Sequence, residues 1–378
     1  MKIKSIIKNF LGYIIRKRAR NVYIKYYGDI CKHNPQINIY TPVDGEEKWL
    51  TKWKELDPDV TPYSYRIFSK YIGKDINIYP LETGVNYVER FLNPTEYKAA
   101  YSDKNIFDKI FGAENTLGAI FRRINGIFYS SEYLPIENFN NQKMFEILSN
   151  YEKIVVKKSV NTSSGKGVYL FKKDKNGNWM YNDKKLTIEF LNEFGLKNII
   201  FQECWKQSKE LSFFNDSSVN TIRVFAYRSV NTGEIHIPSS FIRIGAKGSF
   251  IDNAHGGGML IGIDKKGNIV GRPTDYLGAQ SDTFNGIDFV NNTYHIPNWD
   301  AICDFVKEQS KKIFHHHMLA FDIVLDNNNK PFICEVNVNS FGGWAFQFVT
   351  STVFSEHTDE IINYCKEKKS SRILIGIN

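Results

Sequence analysis

Leu319-Ala320-Phe321-Asp322-Ile323-Val324-Leu325 and Pro331-Phe332-Ile333-Cys334-Glu335-Val336-Asn337 flank a run of turn formers, Asp326-Asn327-Asn328-Asn329-Lys330. Two apolar runs around such a turn predict a β-hairpin. A turn symmetric about Asn328 and Asn329 sets Asp322 directly opposite Glu335, and strand alternation keeps Asn337 on the same face. A slip of one residue would separate them. Like charges facing each other across a ladder destabilise it. Asp322, Glu335 and the amide oxygen of Asn337 are therefore predicted as hard-oxygen ligands for Mg²⁺, with phosphates completing the shell. A solvated acidic pair is the alternative that this spacing leaves open.

Upstream, the apolar strand Ile154-Val155-Val156 leads into Lys158-Ser159-Val160-Asn161-Thr162-Ser163-Ser164-Gly165-Lys166-Gly167-Val168. Small residues and glycines let backbone N–H groups approach phosphate oxygens, and lysines neutralise their charge. A plain turn into Val168-Tyr169-Leu170-Phe171 has the same composition. A Walker loop is excluded, because Gly165-Lys166 is followed by Gly167 and a strand-like run, not by Ser or Thr and a helix. No Gly-x-Gly-x-x-Gly dinucleotide fingerprint opens a helix after a strand either. In Thr221-Ile222-Arg223-Val224-Phe225-Ala226-Tyr227, alternation gives one apolar face and one that carries Arg223. Its guanidinium fits a bidentate grasp of phosphate or carboxylate, or else a structural ion pair. Arg243, in Phe241-Ile242-Arg243-Ile244-Gly245 on the partner strand, has the same two readings. Asn253, His255 and Gly256-Gly257-Gly258 suggest either close approach of backbone to a ligand or a turn before Met259-Leu260-Ile261.

These blocks, in this order, resemble the ATP-grasp fold. Asp322 and Glu335-Val336-Asn337 look like its metal-binding end, and the stretch from Lys158 to Val168 looks like its phosphate-covering loop, with spacing favouring Lys158 over Lys157. After Asn198-Ile199-Ile200-Phe201, the run Gln202-Glu203-Cys204 resembles the hinge that reads adenine through its main chain. Glu210 resembles the ribose-binding acid, and Lys104, in Ser102-Asp103-Lys104-Asn105, a phosphate-touching lysine. Ser218-Val219-Asn220-Thr221-Ile222-Arg223-Val224 and His255-Gly256-Gly257-Gly258 resemble the sugar-transfer-associated branch, found among polysaccharide-building enzymes. Ser159 and Ser163-Ser164 depart from the proline or alanine and the glycines common at those places.

The resemblance implies an α+β ATP-grasp fold, two subdomains whose antiparallel sheets grip ATP, preceded by a mainly helical N-terminal region. The expected divisions are 1–110, 111–204 with the phosphate loop and hinge, and 205–378 with the metal and catalytic residues. It implies ATP and Mg²⁺ as cofactors. The nucleotide would meet Lys104, Lys158, Ser164, Gly165, Lys166, Gly167, Val168, Gln202, Glu203, Cys204 and Glu210, beneath a mobile glycine lid. Arg223, Arg243 and Lys158 would serve catalysis, and Thr221, Asn253, His255, Gly257 and Gly258 the acceptor. The implied reaction joins a carboxylate, such as a uronic acid of a surface polysaccharide, to an amine through an acyl phosphate. A kinase acting on a sugar-type acceptor and a non-catalytic ATP-binding scaffold remain as alternatives.

Composition narrows the rest. The chain has 378 residues with an ordinary apolar content, enough for two or three cores. Its five cysteines are odd in number and never spaced Cys-x-x-Cys, so no disulfide framework or zinc site is expected, which fits a reducing cytoplasm. His315-His316-His317 is expected within a helix over 298–318. Adjacent residues there point about 100° apart and cannot share one ion. No run of eighteen or more apolar residues suggests a membrane span, and no export signal is evident. The net charge of +8 comes largely from residues 1–27, where Lys2, Lys4, Lys8, Arg16, Lys17, Arg18, Arg20 and Lys25 lie among apolar residues without an acid. This predicts a basic amphipathic helix, either lying on the inner face of an anionic membrane or docked on the protein. No nucleic-acid motif follows it.

Overall fold

The computed structural model describes residues 2–160 and 167–371, with side chains described for 10–160 and 167–369. The phosphate contacts expected of Ser164, Gly165 and Lys166, and the lid they would form, lie outside the described residues.

Two antiparallel sheets face each other across a cleft. The first contains β1 (Phe121–Ile124), β2 (Ile127–Ser130), β3 (Lys153–Lys158), β4 (Val168–Lys173), β5 (Trp179–Tyr181), β6 (Lys184–Lys185) and β7 (Ile199–Glu203), in the order β2-β1-β7-β3-β4-β5-β6. The second is built from β8 (Ile222–Arg228), β9 (Ile235–Ile244), β10 (Met259–Ile263) and β11 (Ile269–Thr274). Past the small ribbon of β12 (Thr283–Phe284) and β13 (Ile287–Asp288), it is completed by β14 (Met318–Leu325) and β15 (Pro331–Asn337), in the order β11-β10-β9-β8-β14-β15.

Alternation decides which face of each sheet is covered. In the first sheet Ile154, Val156, Phe171, Ile199 and Phe201 pack outward onto Met144, Leu148, Phe190 and Leu191. Those last four residues lie on the helices Asn141–Leu148 and Ile188–Glu193, each started by a side-chain cap. Asn140 accepts from Lys143 N at 2.9 Å and Thr187 from Phe190 N at 3.1 Å, satisfying donors that the first helical turn leaves unpaired. The other face, with Val155, Lys157 and Gln202, is left for the cleft.

In the second sheet Ile222, Val224, Ala226, Phe321 and Ile323 share a core with Ile302 and Val306 of the helix Trp299–Ser310. The opposite face presents Phe225, Tyr227 and Phe241, which pack with Tyr27, Trp49, Trp53, Phe346 and Ile361. The helical N-terminal region thus completes the second sheet's core instead of forming one of its own. Its first helix runs Lys2–His33, six residues past the expected basic segment.

The helix expected over 298–318 ends at Ser310. Tertiary bonds then hold the histidine tract in an irregular, bent segment on the way into β14: His317 N donates to Leu92 O at 3.0 Å, and the ring of His315 stacks on Tyr97 at 3.8 Å. Among the described residues no group of three or more His, Cys, Asp or Glu is placed to hold a metal, and no helix is long and apolar enough to cross a membrane.

Candidate functional site

The β14–β15 hairpin sets the geometry. Leu325 pairs with Pro331 and Ile323 with Ile333, so the turn centres on Asn328. That register alone would move Glu335 off Asp322. The strand corrects it with a bulge at Cys334, after which Asp322 pairs with Glu335 and Ala320 with Asn337. The tip is held by Asp326 Oδ1, which accepts from Asn328 N at 2.8 Å and Lys330 N at 2.9 Å.

Each acid already faces a cation. Arg223 donates from Nε to Asp322 Oδ1 and from Nη2 to Oδ2, both at 2.7 Å, and Arg243 Nη2 reaches Oδ2 at 2.9 Å. Burial by itself would raise the Asp322 carboxyl, but the two guanidiniums outweigh it and hold the group below its ordinary value. Burial would likewise lower Arg243, and its neighbours Asp252, Asp322 and Glu335 instead push it up. Lys104 Nζ donates to Glu335 Oε1 at 2.8 Å. Asn337 Nδ2 reaches Ala320 O at 3.4 Å, while its Oδ1 has no hydrogen-bond donor among the described residues. Asp322 is taken up by the two guanidiniums, while Glu335 and the uncommitted amide oxygen of Asn337, with no imidazole between them, are oxygen donors whose chemistry suits Mg²⁺.

Two cavities meet at this hairpin. The smaller, about 160 Å³, lies between the sheets. Val155, Lys157, Lys158, Val168, Gln202, Glu203 and Cys204 line it from the side of the first sheet, and Thr221, Asp322, Cys334 and the loop residue Asp252 from the side of the second. The larger, about 500 Å³, is lined by Lys98, Arg223, His255, Asn337, Ser340 and Trp344, among others. Lys104, Arg243, Asn253 and Glu335 line both and form the wall between them.

Most of the residues expected from sequence therefore converge. Gln202 is pinned by its amide to Gly118 O at 2.8 Å, and Cys204 N bonds Lys153 O at 3.3 Å. Thr221 donates from both N and Oγ1 to Asp252 and accepts from Arg243 Nε at 2.8 Å. Gly167, at φ +80°, lies against Lys158, whose Cδ would be 2.9 Å from an added Cβ. Glu210 is exposed on the short helix Lys209–Ser212 and lines neither cavity. Gly257 and Gly258 line neither as well. Gly257 ends a 3-10 turn at φ +90°, and Gly258 packs against the backbone oxygens of Asp252, Ile244 and Asn253.

Among the residues that line the cavities, the sequence favours Lys158 over Lys157 and does not single out Asp252 or Trp344. Lys157 pairs with Val168 across the ladder and shares the cleft face with Val155, which pairs with Gln202; its Nζ lies 3.9 Å from Cys334 Sγ. Alternation from Val155 could have pointed to it. Asp252 bridges Thr221 and Arg243, its Oδ2 3.4 Å from Arg243 Nε, yet it sits in an aperiodic loop that gives no such signal. Trp344 closes the larger cavity beside His255, at a ring separation of 6.4 Å. Its position after Gly342-Gly343 marks a turn, not a ligand.

A cleft between two antiparallel sheets, lined by lysines from one and by an acidic hairpin from the other, defines an ATP-grasp protein. The model of the sugar-transfer associated ATP-grasp family matches residues 85–363, and the chain belongs to that family. No curated relative matches it. Among solved structures it is similar to the ADP complex of N5-carboxyaminoimidazole ribonucleotide synthetase, at 12% identity and a TM-score of 0.38 over 70% of this chain and 52% of that one. It is also similar to biotin carboxylase from Campylobacter jejuni, at 9% identity and a TM-score of 0.41 over 73% of this chain and 48% of that one. The D-alanine-D-alanine ligase from Coxiella burnetii aligns at 9% identity and a TM-score of 0.37, over 74% and 62%. The chain spans about half the length of the first two.

Proposed function

We propose that this protein is an ATP- and Mg²⁺-dependent ligase that joins a carboxylate to an amine through an acyl phosphate. The acid we favour is a uronic acid of a surface polysaccharide or its precursor. The observation that carries the reading is the wall of Lys104, Arg243, Asn253 and Glu335 shared by the two cavities. A nucleotide in the inter-sheet cavity and an acid in the larger one would meet there.

The acceptor's carboxylate oxygen attacks the γ-phosphorus, and the bond to the β–γ bridging oxygen breaks, releasing ADP. The amine nitrogen then attacks the acyl carbon, the C–O bond to phosphate breaks, and the nitrogen gives up a proton. Acid, amine and ATP become amide, ADP and phosphate. Lys98, Lys104, Arg223 and His255 make the larger cavity suited to an anion, and Trp344 offers a flat apolar face for a sugar ring. Lys157, Lys158 and Arg243 offset charge on the transferred group, and burial between the sheets limits water. Glu335 and Asn337, backed by Asp322, would hold Mg²⁺, which neutralises phosphate charge when bound.

The test supplies ATP, Mg²⁺, glucuronate-bearing oligosaccharides and a panel of amines. Joint release of ADP and phosphate with an amide product is expected. A product that retains the phosphate would replace the ligase with a sugar kinase. ATP binding without turnover across the panel would favour a scaffold.

A further inference from the structure

The first helix spans roughly 48 Å at the usual rise per residue, and its two halves live in different surroundings. From Arg16 onward it is tied to the body. Asn86 Nδ2 donates to Arg16 O at 3.2 Å, Arg20 pairs with Asp57 at 2.7 Å, and Tyr27 and Ile30 are fully buried. Ahead of that anchor, large apolar side chains stand in water: Phe10 is 63% exposed, Tyr13 50% and Leu11 38%.

Cations follow these apolar residues in phase. Lys17 lies seven residues past Phe10 and Arg18 seven past Leu11, so each shares a helix face with its apolar partner. Lys17 Nζ lies 5.9 Å from the Tyr13 ring centre. Arg18 and Lys25 make no ion pair among the described residues, and Val22, 65% exposed, stands between them. No acid occurs in the sequence before Asp29. Apolar side chains that would enter an acyl boundary, followed by cations at headgroup level, complement an anionic bilayer in both polarity and charge.

We propose that the exposed side chains Phe10, Leu11, Tyr13, Lys17 and Arg18 of this helix form a docking surface for an anionic lipid bilayer. The same helix packs behind the larger cavity of the site. Tyr26 donates to Tyr276 O at 2.7 Å and its ring lies 6.1 Å from that of Trp344, while Tyr276 stacks on His255 at 4.7 Å. Roughly 24 Å of continuous helix thus joins the lipid-facing residues at Phe10 to Tyr26, which packs against the cavity residue Trp344. The bilayer contact holds whether or not the ligase chemistry does.

The test is co-sedimentation of the full chain with vesicles of phosphatidylcholine alone and with one-third phosphatidylglycerol. Binding is expected only with the anionic lipid, and it should weaken in high salt. The double substitution F10E/L11E should lower partitioning roughly tenfold or more, and K17E/R18E should do so independently. All four side chains are exposed, so an unchanged melting temperature confirms that the fold is intact. Equal binding to neutral and anionic vesicles, or wild-type binding by both variants, overturns the proposal. A concentration-dependent dimer that F10E/L11E abolishes, without lipid binding, would assign the surface to a second copy of the chain instead.

Discussion

Arg223 holds Asp322 side-on, Nε to one carboxylate oxygen and Nη2 to the other at 2.7 Å each, in a position where the Asp322 side chain is 1% exposed. Adding Arg243 puts two guanidiniums on one buried carboxylate. Removing one charge from such a buried cluster leaves the others uncompensated, at a cost of about 3–5 kcal/mol. Asp322→Asn should therefore lower unfolding stability by about that amount in urea titration. A loss under 1 kcal/mol would mean that the cluster is hydrated.

Glu335 separates the two roles. Its side chain is 32% exposed and pairs with Lys104, so Glu335→Gln should leave stability within about 1 kcal/mol. Turnover in the ligase assay should nevertheless fall roughly a hundredfold or more, as when one charge-stabilising group is removed. Near-normal turnover would remove Glu335 from the metal site.

Lys157 shares the cleft face with Val155 and Val168, and Lys158 sits beside Gly167 at the end of the strand. Lys157→Met should weaken the ATP-dependent rise in melting temperature more than Lys158→Met does, since binding to the folded state raises stability with the logarithm of ligand concentration over its dissociation constant. The reverse order would return the role to Lys158.

A Cβ at position 258 would lie 2.7 Å from Asp252 O and 2.9 Å from Ile244 O, with no flexible side chain to yield. Gly258→Ala is expected to cost about 1–3 kcal/mol as an overpacked site. Its signature should be a lower melting temperature, with KM for the acceptor little changed among the molecules that remain folded.

Burial holds His316 and His317 below the ordinary 6.5, against opposing hydrogen bonds to Pro94 and Arg228 carbonyls. As the pH falls through 6.5 the unfolded chain takes up protons that the folded one refuses, so stability is full above that value and declines below it. The melting temperature should fall from pH 7.5 to pH 5.5, and His316→Gln should flatten the curve. A pH-independent melting temperature in both proteins would contradict this.

The facing of Asp322 and Glu335 was legible in the sequence, although the turn that was to deliver it centres on Asn328 alone, which sets the register next to it one residue off. Cys334 hid the difference, because nothing in Phe332-Ile333-Cys334-Glu335 marks which residue leaves the ladder. Arg223 was legible through alternation, since Ile222, Val224 and Ala226 give a clean apolar face. Lys157 was passed over for Lys158, because Ile154, Val155 and Val156 are all buried and only the placing of Val155 on the cleft face tells which of the two lysines shares it. The histidine tract was misplaced for another reason: Lys311-Lys312 offers no stop signal, and the helix ends because bonds to Leu92 and Pro94, some two hundred residues earlier, draw the chain away. Such long-range pulls leave no local trace.

The extra residue at Cys334 also loosens the link between the hairpin's tip and its carboxylates. Between turn and bulge the two strands keep one phase, and beyond the bulge another. The tip can therefore change length by a single residue, with the bulge gained or lost in compensation, while Asp322 and Glu335 stay in step. The end of the hairpin that carries Asp322 and Glu335 is in this sense insulated from drift at its solvent end.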